Sequence, residues 1–175
     1  MNVRQASVLA TFAIMAACAA QESNPGEPQD EGIASRLVGT WSLAHWEARV
    51  GDQPPTLPFG PDAAGRIMYD DAGKMAVQLL VPDRPAFASQ DWTQGTADEV
   101  ETAFEGFFAY YGDYTLDEDA STVTHHLDAA LFPNWIGTQQ VRNFRFAGDT
   151  LVLSTPPTVG QGVEAVHTLW WVKVQ

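Results

Sequence analysis

The sequence holds a single cysteine in 175 residues, and only 9 Lys and Arg against 22 Asp and Glu. One thiol excludes a disulfide within the chain, so stability must come from a packed core. The formal net charge of −13 leaves no basic face for phosphate contacts and excludes nucleic acid as a partner. An anionic ligand would need a locally placed arginine. No apolar run is long enough to cross a bilayer, and no internal repeat is present. There is no phosphate loop, dinucleotide fingerprint, nucleophile elbow or ordered Ser-His-acid triad, so no cofactor is expected and no hydrolytic nucleophile is marked. Nothing in the sequence signals an oligomeric state.

Glycine, proline and aromatic residues are frequent, which favours a sheet-rich domain over a helical bundle. The length is enough for one domain with a sizeable core once an export segment is set aside. Arg4 followed by the apolar run Val8 to Ala17 and small residues has the form of a secretory signal. Ile14-Met15-Ala16-Ala17-Cys18 resembles a bacterial lipobox, which makes Cys18 an acylation site, with ordinary cleavage after an alanine as the alternative. The membrane is then contacted only through this lipid anchor, and the address is the cell envelope: the outer membrane by its anchor, or the periplasm. Residues 18–33 read as an acidic, Pro-rich tether that cannot bury enough apolar surface to order itself, and the domain runs over 34–175.

Leu37 to Val50 alternates as a long first strand, with Trp46 out of phase with Trp41 and Leu43, which predicts a bulge near Ala44 or His45. Gly65 to Tyr69 and Lys74 to Val81 form a hairpin over Asp70-Asp71-Ala72-Gly73. Thr96 and Glu99 form a capping box, and Val100, Ala103, Phe104, Phe107, Phe108 and Tyr111 recur at helical spacing, so one buried helix is predicted to run to Gly112. Asp113 to Asp117 reads as a polar turn. Thr122 to Ala129 and Gln140 to Phe146 alternate as strands around the loop Phe132 to Gly137, and Thr150 to Ser154 and Glu164 to Val174 complete the sheet. The expectation is an all-β, up-and-down barrel of about eight strands with one α-helix inserted after the third. Such a barrel has room for one small ligand.

The unusual side chains cluster between Thr122 and Phe146. Neighbouring strand residues point to opposite faces, so His125 and His126 cannot share a metal ion, and no metal site is expected. If Val123 and Leu127 face inward, so does His125. Arg142 shares its face with Phe144 and Phe146, which places it within reach of His125. Gln78 goes inward only if Ala76 and Leu80 do, with Met75, Val77 and Leu79 as the competing inner face; His167 has the same ambiguity. Asn134 and Trp135 in the loop, and Tyr111 at the end of the aromatic stripe, complete the ligand-binding candidates His125, Arg142, Gln78, Trp135, Asn134 and Tyr111.

Gly39-x-Trp41 on the first strand is similar to the signature of lipocalin and fatty-acid-binding barrels, where the tryptophan closes one end. The segments FGPDAAGRIMYDDAGKMAVQLL, PDRPAFAS, EGFFAYYGDYTLDE, VTHHLDAALFPNWIGTQQVRNF and GDTLVLSTPP resemble the bacterial and fungal lipocalin-like domain family, from Leu37 to the C-terminus. The resemblance implies a lipocalin-like barrel and assigns no chemistry by itself. Three functions are compatible with these residues. The leading one, not enzymatic, is binding of a small, largely apolar molecule whose polar end is oriented by Arg142, His125 and Gln78. The second is a non-metal isomerase, cyclase or hydratase in which His125 moves a proton and Arg142 stabilises negative charge. The third is a structural or interaction lipoprotein with a filled barrel.

Overall fold

The structure, a computed structural model, describes residues 32–160 and 163–174. The expected signal segment, Cys18 and all of the expected tether but Gly32 and Ile33 lie outside the described residues. The chain opens with a short helix α1 (Ile33–Leu37), followed by β1 (Gly39–Val50), β2 (Ala64–Tyr69) and β3 (Lys74–Leu80). Helix α2 (Ala97–Glu105) leads into β4 (Phe107–Asp117), β5 (Thr122–Ala130), a 3-10 turn at Pro133–Trp135, β6 (Gln139–Ala147), β7 (Thr150–Ser154), β8 (Thr158–Gly160) and β9 (Val163–Lys173). Every pairing is antiparallel, and β1 pairs with β9 to close the ring. Strands β7 and β8 pair with different stretches of β9, so together they fill one position of an eight-position up-and-down barrel.

Alternation along each strand sends one face inward, where Trp41, Ile67, Val77, Leu127, Leu151, Leu153 and Trp171 form the core. Burying a side chain of this size contributes about 1.5–3 kcal/mol, which makes the inner face the main determinant of register. The bulge expected near Ala44 is present: the β1–β9 register shifts between Leu43 and His45. It turns Trp46 inward while His45 stacks on Trp170 outside, with ring centroids 5.1 Å apart. Gly73 closes the β2–β3 turn at φ 79, in the left-handed region that favours glycine.

One end of the barrel is sealed. Leu37 of α1 is fully buried, and the indole N–H of Trp41 donates to its carbonyl at 2.9 Å. The Arg36 guanidinium lies 4.1 Å from the Phe146 ring centroid and donates to the Gly148 carbonyl, while the Lys173 ammonium sits over Trp41. The tryptophan of the Gly-x-Trp signature therefore closes an end as the resemblance implies. The strand begins at Gly39, however, because Leu37 belongs to the helix.

The predicted helix is too long. The capping box at Thr96 and Glu99 forms as expected, but α2 stops at Glu105 with Gly106 as its C-cap, and it buries none of its residues. Phe107 to Asp117 is a strand, including the stretch read as a polar turn. Aromatic and β-branched residues are at home on a pleated surface, and pairing with both β3 and β5 overrides a helical spacing that continued by coincidence.

Candidate functional site

The interior contains a cavity of about 400 Å³ with walls that are mostly aliphatic and aromatic. Ile67, Val77, Leu153, Leu169 and Trp171 form its body, and Phe59, Phe104, Phe107, Phe132 and Trp135 surround its mouth. Helix α2 contributes Phe104 and Glu105 to that mouth. It is pinned there by Arg84, which donates to the Ala103 carbonyl, and by Glu99, which accepts from the backbone of Ala88.

His125 enters the cavity from β5 between Val123 and Leu127, all three buried as the alternation requires. Its Nε2 lies 2.7 Å from the Tyr69 hydroxyl and its Nδ1 3.0 Å from the Tyr110 hydroxyl. A neutral imidazole has one N–H and one lone pair, so one tyrosine donates to the ring and the other accepts from it. Burial, reinforced by the Arg142 charge, pulls the His125 pKa down to about 3, and the ring stays neutral across the physiological range. Burial likewise raises both tyrosines above the ordinary phenol value. Tyr69 is the last residue of β2 and pairs with Gly39, so the network lies toward the sealed end.

Arg142 lines the cavity from β6, on the same face as Phe144 and Phe146, as its spacing predicts. It is opposite Val123, two residues along from His125, which is opposite Gln140. Pairing between β6 and β7 begins only at Asn143, so the Val141 carbonyl takes no bond from β7 and instead accepts from Arg142 Nη1 at 2.8 Å. The positive charge reaches His125, His167, Tyr69 and Tyr110 electrostatically. His167 also lines the cavity and accepts the Trp46 indole N–H on Nδ1 at 3.2 Å.

Three candidates do not reach the interior. Gln78 faces outward opposite Arg66, because Met75, Val77 and Leu79 take the inner positions of β3. Tyr111 is 56% exposed: once β4 is a strand, its neighbour Tyr110 takes the inward position. Asn134 is exposed in the 3-10 turn, while Trp135 beside it packs edge-on against Phe108 at 5.1 Å and lines the mouth. His125 and His126 do point to opposite faces; His126 meets the Thr115 hydroxyl on the outside. The residues that sequence reasoning missed are Tyr69, Tyr110, Trp46 and Thr155. For Tyr110 the signal was present, since Phe108, Tyr110, Gly112, Tyr114 and Leu116 alternate.

A closed antiparallel barrel with one sealed end, one aromatic mouth and a cavity is the architecture of a lipocalin-like protein. The chain belongs to the lipocalin-like domain family, whose model matches residues 38–174. It is 36% identical over 107 residues to the 4'-hydroxy-3'-methoxypropiophenone carrier protein of Aspergillus oryzae, a match that takes in 57% of this chain and 96% of the relative. Among solved structures, it is similar to bovine odorant binding protein in complex with a selenium-containing odorant. That likeness has a TM-score of 0.41 and 17% identity and covers 89% of this chain and 78% of that one.

Proposed function

We propose that the protein binds and carries a small, largely apolar molecule inside the barrel, with the polar end of that molecule directed toward Arg142 and the Tyr69–His125–Tyr110 network. The observation that carries this reading is the cavity of about 400 Å³, apolar in its walls and provided with a few polar groups toward its sealed end. A volume in that range accommodates a substituted aromatic molecule. The relative of 36% identity is named as a carrier of a phenolic ketone, which agrees in ligand size and in the pairing of an apolar body with polar oxygens.

The two other readings draw less support. Both ring nitrogens of His125 are engaged by tyrosines and its pKa is held at about 3, so it is poorly suited to exchange protons with a ligand. A filled barrel is at odds with the cavity itself. The envelope address and the acylation of Cys18 remain part of the proposal and rest on the leader sequence alone. Native mass spectrometry of protein purified from its own host is the direct test. We expect a retained small molecule, and saturable binding of the neutral apolar fluorophore N-phenyl-1-naphthylamine once it is removed. A protein that carries nothing and leaves the fluorophore dark would sink the carrier reading.

A further inference from the structure

Within the cavity, two ring N–H groups lack an acceptor and one guanidinium lacks an anion among the described residues. Arg142 forms no ion pair among the described residues; the ion pairs found join His45 and Arg49 to Glu47, and Lys74 to Asp113. The other charged lining residue, Glu105, is exposed at the end of α2 by the mouth. The indole N–H of Trp171, on a side chain only 1% exposed, has no acceptor among the described residues. His167 Nδ1 accepts from Trp46, so the proton of the neutral ring sits on Nε2, which has no partner among the described residues.

The acceptors of the wall are few and uncharged. The oxygens of Tyr69 and Tyr110 bond to His125, Tyr110 also offers its oxygen to the Arg142 guanidinium, and the Thr155 hydroxyl accepts the backbone N–H of His167; none of these oxygens is negatively charged at neutral pH. Burial, then the Arg142 charge, lowers the pKa of both His125 and His167, and burial raises Tyr69 and Tyr110. Below the mouth, the wall at neutral pH therefore carries one positive charge and spare N–H groups, inside a chain of net charge −13. A half-buried guanidinium left without an anion beside an apolar cavity bears part of its desolvation cost unpaired, and a charge-assisted bond to an oxyanion relieves that cost.

We propose that the molecule carried is an oxygen acid, bound in its ionised form as a carboxylate or as an acidic phenol or enol, with the oxyanion on Arg142 and the apolar body toward the aromatic mouth. This rests on the small-molecule reading above and specifies its ligand class.

The test uses the full chain loaded with N-phenyl-1-naphthylamine and two matched pairs of competitors: 3-phenylpropanoate against 3-phenylpropanamide, and 4-nitrophenol against 4-nitroanisole. At least one acid should displace the fluorophore at about tenfold lower concentration than its neutral partner, a difference of about 1.4 kcal/mol. A carboxylate-only preference assigns the ligand to carboxylic acids, and a phenol-only preference assigns it to acidic phenols or enols. Bound 4-nitrophenol should also turn yellow at lower pH than the free compound. Arg142→Gln should bring the preference below about twofold, and Arg142→Lys, which keeps the charge, should retain part of it. Equal competition by acid and neutral partners in the unmodified protein, or a preference that survives Arg142→Gln, overturns the oxygen-acid assignment and leaves the carrier reading standing. Absence of any fluorophore binding overturns both.

Discussion

Tyr69 and Tyr110 are on β2 and β4, with β3 between them, and are joined through one ring: the imidazole of His125 bridges their hydroxyls at 2.7 and 3.0 Å. Two strands that are not neighbours, β2 and β4, are thus both tied to β5 from inside. Tyr69→Phe or Tyr110→Phe leaves a buried ring nitrogen without its partner, and each should lower stability by about 1–3 kcal/mol. Because the two bonds share one ring, the double variant should depart from additivity by at least about 0.5 kcal/mol. Urea denaturation of the four proteins measures both, and strict additivity would mean that the network does not act as a unit.

Acid should weaken the fold through the same imidazole. The His125 pKa is about 3 in the folded protein against 6.5 for a free histidine, so between those values the unfolded chain binds a proton that the folded one does not. Stability from this group is fully present above pH 6.5 and is lost as the pH falls toward 3, by an amount on the order of 4 kcal/mol. His167 adds a loss in the same direction. His125→Gln should start less stable at pH 7 and show a flatter decline between pH 6.5 and pH 4. An identical slope in the variant would remove His125 as the cause.

Gly112 is the tightest glycine in the barrel. The β4–β5 register shifts between Tyr111 and Gly112, and a Cβ at Gly112 would lie 1.9 Å from the His126 carbonyl oxygen. That neighbour is backbone and cannot rotate away. Gly112→Ala should therefore cost more than about 2 kcal/mol or prevent folding, well beyond an ordinary glycine substitution in a strand. A melting temperature within a degree or two of the unmodified protein would contradict the close approach.

The leader makes its own prediction. Cys18→Ala should move the protein from the membrane fraction to the soluble periplasmic fraction, and metabolic labelling with a fatty acid should be lost with it. An unmodified protein that is already fully soluble would rule out the anchor.

Much of the barrel was legible because its strands alternate cleanly: the β2–β3 turn, the bulge at Ala44, the capping box and the inward direction of His125 and Arg142 all follow from local rules. What failed did so where two periods coincide. From Val100 to Tyr111 the apolar residues satisfy a helical spacing, while from Phe108 onward they also satisfy a strand. Only the unpaired edges of β3 and β5 decide between them, and those are not local. The same misreading exchanged Tyr110 for Tyr111 in the site. Tyr69 was out of reach for a different reason, since its role depends on how far the ring of strands is sheared when it closes.

The plug formed by Leu37 and Trp41 leaves the aromatic mouth as the way into the cavity among the described residues. A ligand bound as proposed would then go first in, last out: the head group seated near Arg142 would pass the phenylalanines before the tail does, and would leave after it. Molecules longer than the chamber would wait with their tails outside, where an acceptor protein could take hold of them. Residence time would then depend on the side chains at that mouth, Phe104 and Phe132 among them, and a carrier of this kind could be tuned from slow storage to rapid delivery at its rim alone, without altering what it recognises inside.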